Sequence, residues 1–404
     1  MRKSPHLALI YAIAIAVSTL PAVRADVVRS LSAEIEEEVR AIEGSADALT
    51  VVTASRSIPA AEIKEIRFPG AERAPRPTAA RAFLAAGDEL GGKVAGGSAE
   101  GLVFATASLG QVSLKLEALR AIAFTGDEAE LRRFRYEILP LEAKKDLIVL
   151  RSWGRIEGAV EAIDRSGVVV DSRELGKVTL DLEKVLGLRL AALGKRPAPG
   201  GLVARLELAD GSVVLGKLAS YREGVFRLET AFRTPLELRL EEVRSLSFEG
   251  GRIVYVSDLR PVEVEERASL IAVVFPYRED LNVMGNPIRL DGKSYRKGLG
   301  VHAYARLVYS LDGQYSRFRA IVGIDDEARK SREAEGAVRF QVLVDGRPAL
   351  GADGLLRTGR DAGVPVDVDV TGARSIALIA GFGPGDCPDT LARGVFADAY
   401  LVKQ

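Results

Sequence analysis

The 404-residue chain sets 56 Lys plus Arg against 56 Asp plus Glu, is 47% hydrophobic and 28% charged, and holds only two His, one Cys and one Trp. Such a composition buries ordinary cores and is not that of a disordered chain, while the even charge balance offers no electrostatic footprint for nucleic acid. A single Cys excludes an internal disulfide and any paired-cysteine zinc or redox site.

Arg2 and Lys3 precede an apolar run, Leu7–Leu20, and Pro21-Ala22-Val23-Arg24-Ala25 follows. A basic start, a short apolar stretch and small residues at its end predict a secretory signal over 1–25, cleaved after Ala25. A membrane anchor is the alternative reading, but the run is shorter than the roughly 20 residues that cross a bilayer. Cleavage removes Arg2, Lys3, Arg24 and His6, so the mature chain keeps 53 basic and 56 acidic residues, a net charge of −3, and one histidine, His302. No His-pair zinc site can form, and His302 is the only imidazole base. The expected location is secreted, periplasmic or cell-envelope, with no transmembrane segment in the mature chain.

Residues 26–250 read as four diverged β-rich repeats. Ser57–Phe68, Ser113–Phe124, Thr179–Leu190 and Glu237–Phe248 each spell a short strand, a one-turn acidic element and a second strand, with starts 56, 66 and 58 residues apart. The segments upstream of each add alternating strands and Gly-centred turns. This strand pattern resembles small Sm-like or SH3-like antiparallel barrels. Glu62, Glu117, Glu183 and Glu242 recur at one place in each copy, where an acidic residue suits the start of a helical turn. Glu72–Arg81 and Gly194–Gly201 read as Pro-rich linkers. Asp127–Asp146 is the one helical insertion, ended or kinked at Pro140. Trp153 is read as core beside Leu147, Ile148 and Leu150, with stacking on a sugar as the alternative.

From 251 to 404 short strands alternate with Asp-Gly and Gly turns about every ten residues, the pattern of a β-sandwich. Asp291-Gly292, Asp312-Gly313 and Asp345-Gly346 are turn signals because Gly accepts positive φ. The ordered segments YRKGLGVHA (295–303), YSRFRAIVGIDDEA (315–328), VRFQVLVDGR (338–347), VDVDVTGA (366–373) and ADAYL (397–401) resemble the NPCBM family, the carbohydrate-binding module first noted beside glycosyl hydrolase family 98 enzymes. The resemblance implies an all-β protein ending in a galactose-binding-like jelly-roll sandwich that binds carbohydrate, such as a galactose-type glycan. Family members carry an Asp-His and a Trp in the last segment. Here Asp389 matches the Asp, Thr390 replaces the His and Phe396 stands at the Trp position, so Tyr295, Tyr304, Tyr309 and Tyr315 are left to supply an aromatic face.

The candidate ligand-binding residues are His302, Tyr304, Asp325, Asp326 and Asp389. His302 and Tyr304 sit in a Gly-rich turn-to-strand region. Asp325 and Asp326 follow an apolar strand, where they could accept sugar hydroxyls, hold a structural calcium through hard oxygen ligands, or cap a turn. Asp386 and Asp389 flank Cys387-Pro388. No catalytic residue and no cofactor other than that calcium is expected. The repeats leave no stretch for a barrel enzyme of about 250 residues, and no nucleophile elbow, zinc-protease or phosphate-loop motif is present. The function expected is non-catalytic glycan binding. The alternatives are a cell-envelope protein with a protein partner and, less favoured, a glycoside hydrolase.

Overall fold

The computed structural model describes residues 25–45, 48–69, 78–191, 201–268, 273–329, 336–384 and 391–404. Strands dominate, and all described pairings are antiparallel. The second small unit shows how the first half is built. Its strands are Ala80–Leu84, Glu89–Gly97, Gly101–Thr106, Gly110–Lys115 and Leu119–Ala123. The long second strand carries a bulge between Val94 and Gly96, so its first part pairs with the first strand and its second part with the third. After the one-turn element Leu116–Ala118 the last strand returns to pair with the first, closing the unit in the SH3-like manner.

The same closure joins Asp146–Leu150 to Val185–Arg189, Val203–Leu208 to Val243–Glu249, and Val27–Ser30 to Ile63–Arg67. Bulges recur in the second strands, between Val160 and Ala162 and between Leu218 and Ser220. Glu62, Glu117 and Glu242 lie in one-turn 3-10 elements, and Glu183 in a plain turn. Ala80 and Arg81, expected in a linker, instead begin the first strand of their unit, Ala80–Leu84, every residue of which is buried. The Pro-rich remainder at 72–77 and 194–200 lies outside the described residues.

Closing strands also pair across units. Ala121–Ala123 runs against Gly187–Arg189, and Ile66–Arg67 against Ser245–Leu246. A single bridge, Val213 to Glu89, ties the second unit to the fourth. Around it the Asp88 carboxylate accepts the Leu215 amide at 2.8 Å, and the Ser212 hydroxyl accepts the Gly91 amide at 2.9 Å. The two contacts are equivalent, so two pairs of units face each other about an approximate twofold. One apolar cluster, including Val28, Ile66, Phe104, Ile148 and Phe226, runs through all four.

The helical insertion forms Glu128–Glu137. Asp127 caps it by accepting the Ala129 and Glu130 amides, satisfying donors that no helical carbonyl reaches. It ends before Pro140, whose ring disfavours helical backbone at the preceding residue. Leu131 and Phe134 pack with Phe83 and Leu147 in a satellite core, against which Trp153 lies half-buried under the Arg133 guanidinium at 3.8 Å.

Two six-stranded sheets make the C-terminal sandwich. One orders Arg278–Glu279, Gly298–His302, Arg393–Lys403, Tyr315–Ile324 and Val364–Asp369, with Ile253–Tyr255 joining Arg393–Lys403. The other orders Glu263–Glu266, Ala305–Ser310, Ser375–Phe382, Ala337–Val344 and Arg347–Pro348, with Leu355–Thr358 on Ala337–Val344. Alternate residues of Ala337–Val344 are buried, so Val338, Phe340 and Val342 meet Phe318, Val322 and Phe396 between the sheets. Asp291-Gly292, Asp312-Gly313 and Asp345-Gly346 all hold positive φ at both positions; the first and third close two-residue hairpins, and the second carries the chain from one sheet to the other.

The first small unit docks on this sandwich. Arg252 pairs with Glu62 at 2.6 Å, Lys64 pairs with Asp398, and Arg319 donates to the Leu31 carbonyl at 2.8 Å. Beneath these contacts Leu31 packs with Ile253, Tyr400 and Val402.

Candidate functional site at one rim of the sandwich

Gly298–His302 belongs to one sheet and Ala305–Ser310 to the other, so the chain crosses the mouth of the sandwich at Ala303-Tyr304. Ala303 is buried at the crossing, with its amide on the Ala392 carbonyl. His302 and Tyr304 are both half-buried and lie on either side of it. The His302 ring stacks on Phe275 with centroids 4.9 Å apart, and its Nδ1 lies 2.8 Å from the Ala303 carbonyl. A carbonyl only accepts, so Nδ1 carries the proton in that contact. Tyr304 lies 6.1 Å from Phe382, and the Arg267 guanidinium sits 4.2 Å over its ring. Two backbone hydrogen bonds between Arg267 and Tyr304 hold the two in place.

The acidic pair lies at this end too. His302 pairs with Arg393, and the Asp325 amide donates to the Arg393 carbonyl, which puts Asp325 two strands away, about 10 Å at the usual strand spacing. Its carboxylate is turned inward and is 1% exposed. It accepts the Arg289 and Glu327 amides and the Asn282 side chain, each at 3.0 Å, and burial raises its pKa against the pull of these donors. Asp326 accepts the Asp291 amide at 2.9 Å and the Gly292 amide at 2.8 Å, and Arg329 lies 3.3 Å away. Both carboxylates thus fasten the hairpin Ile288–Tyr295 to the sandwich. Glu327 extends the network to Asn282 and Asn286.

Of the other tyrosines, Tyr309 and Tyr315 are core residues, and Tyr295 lies half-buried in the hairpin beneath Lys293. Phe396, at the family's Trp position, is fully buried edge-on to Phe340. Asp386, Cys387 and Asp389 lie outside the described residues. Among the described residues, no group of three His, Cys, Asp or Glu is arranged to hold a metal ion, and no helix is long and apolar enough to cross a membrane.

What the rim offers is a set of half-buried rings beside polar tips on His302, Tyr304 and Arg267. Such sites accept a ligand with an apolar face and hydroxyls. Phe275, Phe382 and Arg267 were not among the sequence candidates, although both phenylalanines adjoin Pro- and Gly-containing loops (FPY and FGPGD), where a bulky ring has little local structural reason to stand.

Residues 252–402 match the NPCBM/NEW2 domain. A protein of Renibacterium salmoninarum named "Putative endo-alpha-N-acetylgalactosaminidase" is 35% identical over 94 residues, 23% of this chain, and the match spans 6% of that protein's length. Among solved structures, CBM51 from Clostridium perfringens GH95 in complex with methyl-galactose is 29% identical over 37% of this chain and 99% of that one, with a TM-score of 0.32. The tandem CBM51 modules of the family 98 glycoside hydrolase from Streptococcus pneumoniae are 15% identical over 64% of this chain and 88% of theirs, with a TM-score of 0.32.

Proposed function

We propose that this is an exported, non-catalytic protein that binds carbohydrate at the rim formed by His302, Tyr304, Phe275, Phe382 and Arg267. The observation that carries the proposal is the crossing at Ala303-Tyr304, which leaves four rings half-buried at one mouth of a sandwich whose sequence matches a carbohydrate-binding module family. Rings of this kind stack on the apolar face of a pyranose while His, Tyr and Arg tips bond its hydroxyls. With the tryptophan position occupied by a core phenylalanine, the platform is small. A single site is expected to bind in the millimolar range, about 4 kcal/mol, so that retention depends on dense or repeated ligand.

The test is calorimetric titration of the mature chain with galactose- and hexosamine-containing glycans, starting with N-acetylgalactosamine in view of the name of the Renibacterium relative. Binding should weaken at least about fivefold in His302→Ala and Tyr304→Ala. No binding to any member of the panel, or binding indifferent to both variants, would sink the assignment. Export through residues 1–25 is tested by N-terminal sequencing of the secreted chain, which should begin at Asp26.

A further inference from the structure

A second candidate site lies away from the rim, where the helix Glu128–Glu137 faces the sandwich segment 277–287. The cleft between them encloses about 550 Å³, within the usual range for small-ligand sites. Leu131 and Pro140 line one wall, Leu281 and Pro287 the other, and Tyr136 stands 48% exposed at its edge.

Three guanidinium groups line the same space, and they differ in how they are neutralised. Arg135 pairs with Glu89. Among the described residues, the neutral Asn286 side chain is the one acceptor of Arg132. Arg278 lies over the Tyr136 ring at 3.9 Å, donates through Nε to the Val283 carbonyl at 2.8 Å, and keeps its Nη1 shielded from solvent with no acceptor among the described residues. Neither Arg132 nor Arg278 meets a carboxylate within ion-pair distance among the described residues. Of the two acids on the lining, Glu279 is repelled by Asp280 and Asp258 and attracted by Lys297 and Arg260, and Glu128 stands at the start of the helix. Two uncompensated forks beside an exposed aromatic ring and apolar walls match a ring compound that carries a carboxylate, which a guanidinium binds through paired hydrogen bonds.

We infer that this cleft binds an acidic saccharide unit, a pyranose bearing a carboxylate. The requirement for an anion rests on the cleft alone; the choice of a saccharide rests on the carbohydrate reading of the adjoining module. The helix insertion, which has no counterpart among the described residues of the other units, then supplies one wall of a binding site.

The probe is an oligogalacturonide titrated into the full mature chain, with its methyl ester as a neutral twin of the same ring and length. The acid should bind at least about tenfold more tightly than the ester, weaken with added salt, and lose about tenfold in Arg132→Gln and in Arg278→Gln. Arg132 is exposed, so its variant guards against a folding defect in the other, and melting curves accompany both. Equal binding of acid and ester, no binding of the acid, or acid binding indifferent to both variants would overturn the inference. Competition separates the two sites: displacement of the acid by an excess of the neutral glycan bound at the rim would place it there and overturn the cleft. If every neutral glycan fails while the acid binds in an arginine-dependent way, the rim assignment falls and the cleft stands.

Discussion

Replacing Asp88 with Asn should change how stability depends on pH, by an amount the structure supplies. Asp88 is 1% exposed at the contact between the second and fourth small units. One carboxylate oxygen accepts the Leu215 amide, and the other meets no donor among the described residues. Burial pushes its pKa from 3.8 up to about 6, against the opposing pull of that amide. The fold therefore favours the protonated form. With the folded pKa above the unfolded one, the stabilisation is complete below about pH 4 and lost as pH rises through about 6. At 1.36 kcal/mol per pH unit the displacement amounts to about 3 kcal/mol. Asn keeps an acceptor for Leu215 and removes the charge. Urea unfolding can be followed through Trp153, the sole tryptophan, which packs against a cluster containing Phe83 and Ala121 of the Asp88 unit. The stability of Asp88→Asn relative to wild type should rise by about 2–3 kcal/mol between about pH 4 and about pH 7.5. Parallel pH profiles for the two proteins would show that Asp88 is not the buried acid that this contact makes it.

Three other substitutions probe separate parts of the fold. Asp325→Ala leaves the Arg289 and Glu327 amides without their acceptor and takes one of two acceptors, the other being Glu327, from the Asn282 side chain; it should cost about 3 kcal/mol or more, and an unchanged calorimetric melting temperature would contradict this. Asp127→Ala removes the cap of Glu128–Glu137 and should cost about 1 kcal/mol by urea titration, with no loss if the helix holds without it. Phe134→Ala empties a fully buried position stacked on Phe83 at 6.2 Å and should cost about 3–5 kcal/mol; a cost below 1 kcal/mol would mean that the helix is not docked as described.

The features legible in the sequence are those with short-range causes. Asp291-Gly292, Asp312-Gly313 and Asp345-Gly346 announce their turns because positive φ is a property of the residue pair itself. Alternation in Ala337–Val344 names the buried face because successive side chains in a strand point to opposite sides. His302 and Tyr304 were legible together because they share one Gly-rich turn-to-strand region. Phe275 and Arg267 were not, since nothing within a few residues of either says that it will meet His302 or Tyr304. Asp325 and Asp326 show the limit most plainly. Two carboxylates after a strand suit a ligand site or a cap, and the amides they accept lie more than 30 residues earlier in the chain, beyond the reach of any local pattern.

By itself, then, the sequence determined an all-β chain, the places of its tight turns, and the match of residues 252–402 to the NPCBM/NEW2 domain, because periodicity, turn chemistry and local motifs act over a few residues. Only the tertiary structure decided which closing strands pair across units, which tyrosines become core, where the acidic pair points, and that one helix stands opposite the sandwich across a basic cleft. Those outcomes depend on contacts between residues distant in the chain, whose free energies exist only once both partners have been brought together.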